Sequence, residues 1–423
     1  MDIERIRQQF PVFSIPTLKD SVFFDGAAGT QMCKSALDAS VRSAIEHNAN
    51  LGGHFSTSTL ARQEIDRARC AAAALVNANC AEEIVFGHNM TTLTFHLSRC
   101  LGRSLRKGDE IVLTRSDHEA NISPWLELAK DLELSVRWLP FDSQTYGFDI
   151  SEIESSITER TKIVALSYAN NITGTINDVA LVAALARRKG AIVYIDAVQF
   201  APHGVIDVQA LGCDFLVCSS HKLYGPHHGI LWGRLEVLEA LIPYKPRPTS
   251  DSPPYKLETG TKSREAIAGI LGAIDHLAWI GREFGGASEQ SDKRQQIVAG
   301  TRTVVEHEQG LVQQVLDGLK GFEGIRIYGY CEPSELSRRV PTLSFTLEST
   351  PSEVVSQHMA EQGIRLWHGN NFSTETIGAL GLDQNDGVVR ISLAQYSSQD
   401  DVQRFLSALD RFSCPASHRP HRR

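Results

Sequence analysis

Between residues 83 and 232 the chain lays down seven short apolar runs, and this rhythm limits the folds open to it. The runs are 83–87 (EIVFG), 110–114 (EIVLT), 135–139 (SVRWL), 162–167 (KIVALS), 191–196 (AIVYID), 215–219 (FLVCS) and 229–232 (GILW). They are brief, rich in β-branched residues and largely continuous, as strands covered on both faces should be. Helical patterns separate several of them, at 91–106, 124–132 and 178–189, the last with Asp178 as a cap and Gly190 as a stop. Strand–helix alternation of this kind predicts an α/β unit with a mostly parallel sheet flanked by helices. Ligands of such sheets collect beyond the carboxyl ends of the strands. The residues just after each run are therefore the first candidates for a site.

The rest of the chain is organised around that unit. Residues 1–20 read as an N-terminal helical segment without the apolar core of a signal peptide. Residues 21–285 read as the large domain, closed by a proline-rich surface loop at 244–255 and a helix at 264–282. Residues 286–423 read as a smaller α+β domain, with strands at 325–328, 342–346 and 388–393 and helices at 352–362 and 398–412. The tail 417–423 (SHRPHRR) reads as a frayed basic end.

Composition removes several classes of function. With 42 Lys+Arg against 50 Asp+Glu the formal charge is −8, which disfavours a phosphate backbone as partner. No apolar run approaches the roughly 18–20 residues of a membrane span. The eight cysteines, Cys33, Cys70, Cys80, Cys100, Cys213, Cys218, Cys331 and Cys414, form no CxxC pair and no zinc spacing. They read as free thiols in a reducing, cytoplasmic compartment, and no metal site is expected.

The chemistry is concentrated in residues 219–234 (SSHKLYGPHHGILWGR). Lys222 follows an apolar strand in a turn of small polar residues, whereas most lysines decorate exposed helices. Such an amine becomes a nucleophile or Schiff-base partner when its surroundings lower its pKa; otherwise it is an exposed structural lysine. Asp196 ends the preceding strand and brings a carboxylate to the same sheet edge, unless it serves only as a cap. Pyridoxal phosphate needs such a pair, a lysine for its carbonyl carbon and an acid for its pyridinium nitrogen. Residues 87–92 (GHNMTT) follow a strand and open a helix, where backbone N–H groups and the hydroxyls of Thr91 and Thr92 suit a phosphate. No GxxxxGK[ST] loop and no strand-placed GxGxxG is present.

These residues, with FFDGAAGT (23–30), SDHEANISPW (116–125), NNITGT (170–175), LETGT (257–261) and VVRISL (388–393), resemble the class V aminotransferase family of fold-type I pyridoxal-phosphate enzymes, in its cysteine-desulfurase-like branch. The resemblance runs from about residue 23 to 406. It implies that Lys222 holds the cofactor as an internal aldimine and later moves the α-proton. Asp196 would pair with the pyridinium nitrogen, Gln199 with the phenolic oxygen, and His118 would stack on the ring. Asn171 would stand beside ring and substrate. Thr91, Thr92, Ser219 and His221 would cradle the phosphate, completed by Thr261 of a partner subunit. Arg390 would clamp the substrate carboxylate. A homodimer with shared sites is implied as well.

The chain leaves the family pattern at one loop. Desulfurases carry a sulfur-accepting cysteine in a stretch like RTGHHCA; here residues 367–373 read WHGNNFS, with Phe372 in the cysteine's place. No cysteine lies between Cys331 and Cys414, so a persulfide relay is not expected. Trp367, His368 and Phe372 suggest a bulkier or more apolar substrate than free cysteine, and His54, in the Gly-rich loop 48–56, is a further substrate contact. The expected function is action on an α-amino acid through aldimine and quinonoid intermediates, with β-elimination of a sulfur group favoured. Carbon–carbon bond formation, racemisation and transamination are the alternatives, and a silent cofactor-binding scaffold is the non-enzymatic one.

Overall fold

A computed structural model describes residues 1–413; Cys414 and the basic tail lie outside the described residues. All seven expected strands form one sheet, in the order Ile84–Gly87, Gly229–Gly233, Phe215–Ser219, Ile192–Asp196, Thr161–Ser167, Glu110–Thr114, Ser135–Leu139. Every pairing is parallel except those of Gly229–Gly233, which runs antiparallel to both neighbours. That strand returns directly from Phe215–Ser219 through a short turn, and only a crossover helix could have made it parallel.

The two faces of the sheet are both dry. Alternate residues divide between two cores: Val164, Leu166, Val193, Ile195, Leu216 and Cys218 face one, while Ile163, Ala165, Tyr194, Phe215 and Val217 face the other. This period of two explains why the runs read as continuous apolar segments. Helices Met90–Gly102 and Ser123–Leu132 cover the second face through Leu93, Leu97, Trp125 and Leu128. Helices Ser56–Val76, Val179–Arg188 and Arg264–Glu283 cover the first. The helix expected at 91–106 stops at Gly102, where the N–H groups of Ser104 and Leu105 turn back onto the carbonyls of Leu101 and Gly102.

The C-terminal region forms a four-stranded antiparallel sheet in the order Trp367–Gly369, Val388–Ser392, Thr342–Leu347, Ile325–Tyr328. Helices Ser352–Glu361 and Gln399–Ser413 accompany it. Its core of Leu343, Phe345, Val389, Ile391 and Phe405 also takes in Val22 and Phe24. The strand Val22–Phe23 pairs with Ile364–Arg365. The beginning of the chain is thus built into the C-terminal unit, although residues 21–285 read in sequence as one domain. Of residues 1–20, only Ile3–Arg7 is α-helical, and Phe10 is buried edge-on against Tyr224, His276 and Tyr396.

Helix Lys293–Leu319, capped by a reciprocal Asp292–Gln295 box, joins the two units. It crosses Arg264–Glu283 at a glycine contact. A Cβ on Gly300 would lie 2.0 Å from the Leu277 carbonyl oxygen, and one on Gly281 would lie 1.9 Å from that of Gln296. Neither backbone can yield without parting the helices. In an open helix position Gly→Ala stabilises by about 1 kcal/mol; here overpacking should cost about 1–3 kcal/mol. Gly300→Ala is therefore expected to lower the urea unfolding midpoint. Gly310→Ala, on the same helix with nothing within 4 Å of the added Cβ, is expected to raise it.

Candidate active site

Three adjacent parallel strands end at one edge of the sheet, two of them level and the third two residues further on. Ser167 lies opposite Asp196 in the register, and Asp196 opposite Val217, two residues before Ser219. All three end residues, Ser167, Asp196 and Ser219, open into one cleft of about 700 Å³. The far wall comes from the C-terminal unit: residues 367–372, Gln384, Asn385 and Arg390.

Lys222 closes the short 3-10 turn Ser220–Lys222 that follows strand Phe215–Ser219. Its Nζ donates to Gln199 Oε1 at 3.3 Å. Gln199 in turn donates through Nε2 to Thr342 Oγ1 at 2.8 Å, so the amine is tied to the C-terminal sheet. Burial, and then the Arg390 guanidinium, push the Lys222 pKa down, against the pull of Asp196. Asp196 is buried and accepts the Val198 N–H at 2.9 Å. Burial pushes its carboxyl up, opposed by that N–H and by Lys222.

His118 follows strand Glu110–Thr114 and accepts the Ala120 N–H through Nδ1 at 3.0 Å. Its ring stacks on Phe372 with centroids 5.6 Å apart and planes 28° from parallel. Burial, with Lys222 and Arg390 nearby, holds its pKa down to about 3. Arg390, on the buried strand Val388–Ser392, donates to the Asn171 carbonyl at 3.1 Å. It makes no ion pair among the described residues, and burial alone lowers its pKa to about 9. A buried guanidinium held only by a carbonyl is short of an anion.

At the other end of the cleft lie Asn89, Met90 and Thr91, which begin helix Met90–Gly102, with Ser219 and His221. The Ser219 hydroxyl is buried without a hydrogen-bond partner among the described residues. His221 stacks on His227 at 4.9 Å, and burial lowers its pKa to about 4.

The structure thus gathers Lys222, Asp196, Gln199, His118, Asn171, Thr91, Ser219, His221, Arg390, Trp367 and His368 around one cleft. It does not bring Thr92, Thr261 or His54 there. The Thr92 hydroxyl is spent on the Asn89 carbonyl at 3.0 Å, and its N–H on the Asn89 side chain at 2.8 Å. Thr92 and Thr261 share a smaller cavity of about 140 Å³ with His88, His228 and Glu258, while His54 is exposed. Sequence reasoning missed Asn89, Gln384 and Asn385. Asn89 sat unremarked inside the phosphate-binding stretch, and residues 383–387 (DQNDG) looked like an ordinary turn.

A profile described as aminotransferase class-V matches residues 22–405. An aminotransferase-like protein of Gibberella zeae is 34% identical over 419 residues, covering 96% of this chain and 98% of the relative. A probable cysteine desulfurase of Pseudomonas putida is 32% identical, covering 96% and 97%. Among solved structures, a cysteine desulfurase from Thermococcus onnurineus superposes with a TM-score of 0.86 at 25% identity, over 98% of both chains.

The depressed pKa of His118 gives a direct test. Its ring is expected to remain neutral throughout pH 5–8. Histidine-labelled NMR, with the resonance assigned through His118→Gln, should show no titration step there. The unfolded chain takes up the proton near the ordinary histidine value, so this group's share of stability is lost as the pH falls from there towards 3.

Proposed function

The chain belongs to the class V aminotransferases, a pyridoxal-phosphate-dependent family of fold type I, and on that premise we propose that it is a carbon–sulfur lyase acting on an amino acid without a persulfide cysteine. The observation that carries this reading is Phe372 at the lip of a cleft that no cysteine among the described residues lines.

The cleft suits the cofactor on its own evidence. The unpartnered Ser219 hydroxyl, with Thr91, Asn89 and His221, offers donors for a phosphate. Asp196 is a buried acid whose ionised form gains from a cation beside it, as a pyridinium would be. Lys222 is an amine made reactive at neutral pH by burial and by Arg390. When bound, pyridoxal phosphate supplies an electron sink for the substrate's α-carbon.

The chain's own residues then divide the work. Arg390 takes the substrate carboxylate in the two-pronged geometry that a guanidinium fork favours. Asn171 braces it, its carbonyl on Arg390 and its amide on the Asn371 carbonyl at 3.1 Å. His118, neutral and stacked, supplies a flat, uncharged face. Lys222 is placed to take and hold the α-proton; β-elimination would then release the sulfur with the bonding electron pair, to take up a proton as a thiol. Water completes the release of a keto acid and ammonia.

A second copy of the chain completes this proposal. Leu37, Val41 and Ile45 lie one turn apart along helix Lys34–Glu46 and are exposed, as are Phe55 and Leu60 nearby. A homodimer covering this stripe would bring His54 and Thr261 towards the partner's cleft. No helix among the described residues is long and apolar enough to cross a membrane. The free thiols support a reducing, cytoplasmic setting.

Incubation with S-substituted cysteines tests the reaction: a keto acid, ammonia and a thiol in equal amounts support the lyase, and a coupled, racemised or transaminated amine overturns it. Lys222→Ala is expected to abolish borohydride fixation of the cofactor to that peptide. Loss of a charge-assisted bond of about 2 kcal/mol predicts that Arg390→Ala lowers kcat/KM roughly 30-fold.

A further inference from the structure

The outer half of the cleft is built from aromatic rings and amides. Apart from Asp196, Lys222 and Arg390, no Asp, Glu, Lys or Arg among the described residues lines it. All three are already committed to the cofactor and to the substrate carboxylate in the reading above, on which this inference rests. What faces the remainder of a substrate is Trp367, His368 and Phe372, with the amide side chains of Asn371, Gln384 and Asn385.

The indole and phenyl rings are not there for core packing. Trp367 is 50% exposed and Phe372 70% exposed. Phe372 also sits in a conformation that a bulky residue avoids: φ is +52° at Asn371 and +55° at Phe372, two successive left-handed residues. Such a conformation is sustained only where the surroundings over-determine it.

Here they do. The Phe372 N–H donates to Asn370 Oδ1 at 3.1 Å, and its carbonyl accepts the Glu119 N–H at 2.8 Å. Ser373 Oγ donates to Asn171 Oδ1 at 2.6 Å, Thr374 Oγ1 donates to the Glu119 carboxylate, and Arg115 pairs with Glu375. The segment is therefore pinned to the large unit on both sides of Phe372. Trp367 lies directly across the antiparallel pair from Arg390, so both side chains share a face of the sheet.

We propose that Trp367 and Phe372 are specificity-determining residues. They form two fixed aromatic walls of a slot that takes an uncharged amino-acid side chain ending in a flat, π-rich group. The amides at the rim hydrogen-bond neutral polar atoms of that group. A charged side chain is rejected because it would lose water and find no counter-charge. The competing role for Phe372 is simply to back the His118 ring, which would affect every amino acid alike.

The test uses the cofactor-loaded enzyme and the stopped-flow amplitude of its visible absorbance change. The probes are S-benzyl-L-cysteine, L-alanine, L-glutamate and L-lysine. S-benzyl-L-cysteine is expected to bind at least about tenfold more tightly than alanine, and the two charged amino acids far more weakly than either. Phe372→Ala and Trp367→Ala should each cut the preference for S-benzyl-L-cysteine over alanine by up to about tenfold, and Phe372→Tyr should restore it. Glutamate or lysine binding as tightly as S-benzyl-L-cysteine overturns the inference. So does a Phe372→Ala loss equal for all four probes. No change in absorbance with any amino acid overturns the amino-acid reading itself, and this inference with it.

Discussion

The ending of three parallel strands at one edge of the sheet is the constraint on which the molecule's chemistry rests. Because Ser167, Asp196 and Ser219 finish at one edge, the turns that follow them have nowhere to go but around a common space. That is how Lys222 and Asp196, distant in sequence, come to influence each other's ionisation. The strands' register is fixed because both faces of the sheet are buried. A register slip by one residue would exchange Tyr194 with Ile195 and Phe215 with Leu216 between cores of different shape.

Much of this was legible in the sequence, for identifiable reasons. Strands buried on both faces leave unbroken β-branched runs, so all seven could be found. Lys222 was visible because a lysine in a small-residue turn after such a run is unusual, and Asp196 at the same sheet edge gave it a chemical partner. The C-terminal unit's share was harder to read. Arg390 alone is an arginine on a strand; only the fold shows that it is buried and lacks an anion. The long helix Lys293–Leu319 escaped notice because Gly300, Gly310 and Gly318 interrupt its pattern, although Gly300 is what lets the helix approach its neighbour. Thr91 and Thr92 look equivalent in sequence. A helix turns adjacent residues about 100° apart, so one faces the cleft and the other does not.

The site's electrostatics are arranged around vacancies of charge rather than pairs. Some buried ions elsewhere are closely paired, although Arg339 too rests on carbonyls alone. Arg69 and Glu258 meet in a two-pronged bridge at 2.8 and 3.1 Å. In the cleft, by contrast, Arg390 has only a carbonyl, Lys222 only an amide oxygen, and Asp196 a single backbone N–H. Buried groups left this way are costly to the empty fold. They are the groups whose interactions improve most when a ligand bearing an anion, a carbonyl carbon and a ring nitrogen arrives. Stability and affinity are therefore linked, and ligand binding should add to the folded state's margin.

The hydrogen bonds that tie residues 371–375 to Glu119, Asn171 and Arg115 bear on tempo. Where a loop must swing to deliver a group or to admit substrate, its opening often limits turnover. Here the rim is already anchored on both sides of its aromatic tip, and no group on it has to travel. Any swing of this lip would first have to break those hydrogen bonds, so the segment is built as a fixed wall and not as a moving arm.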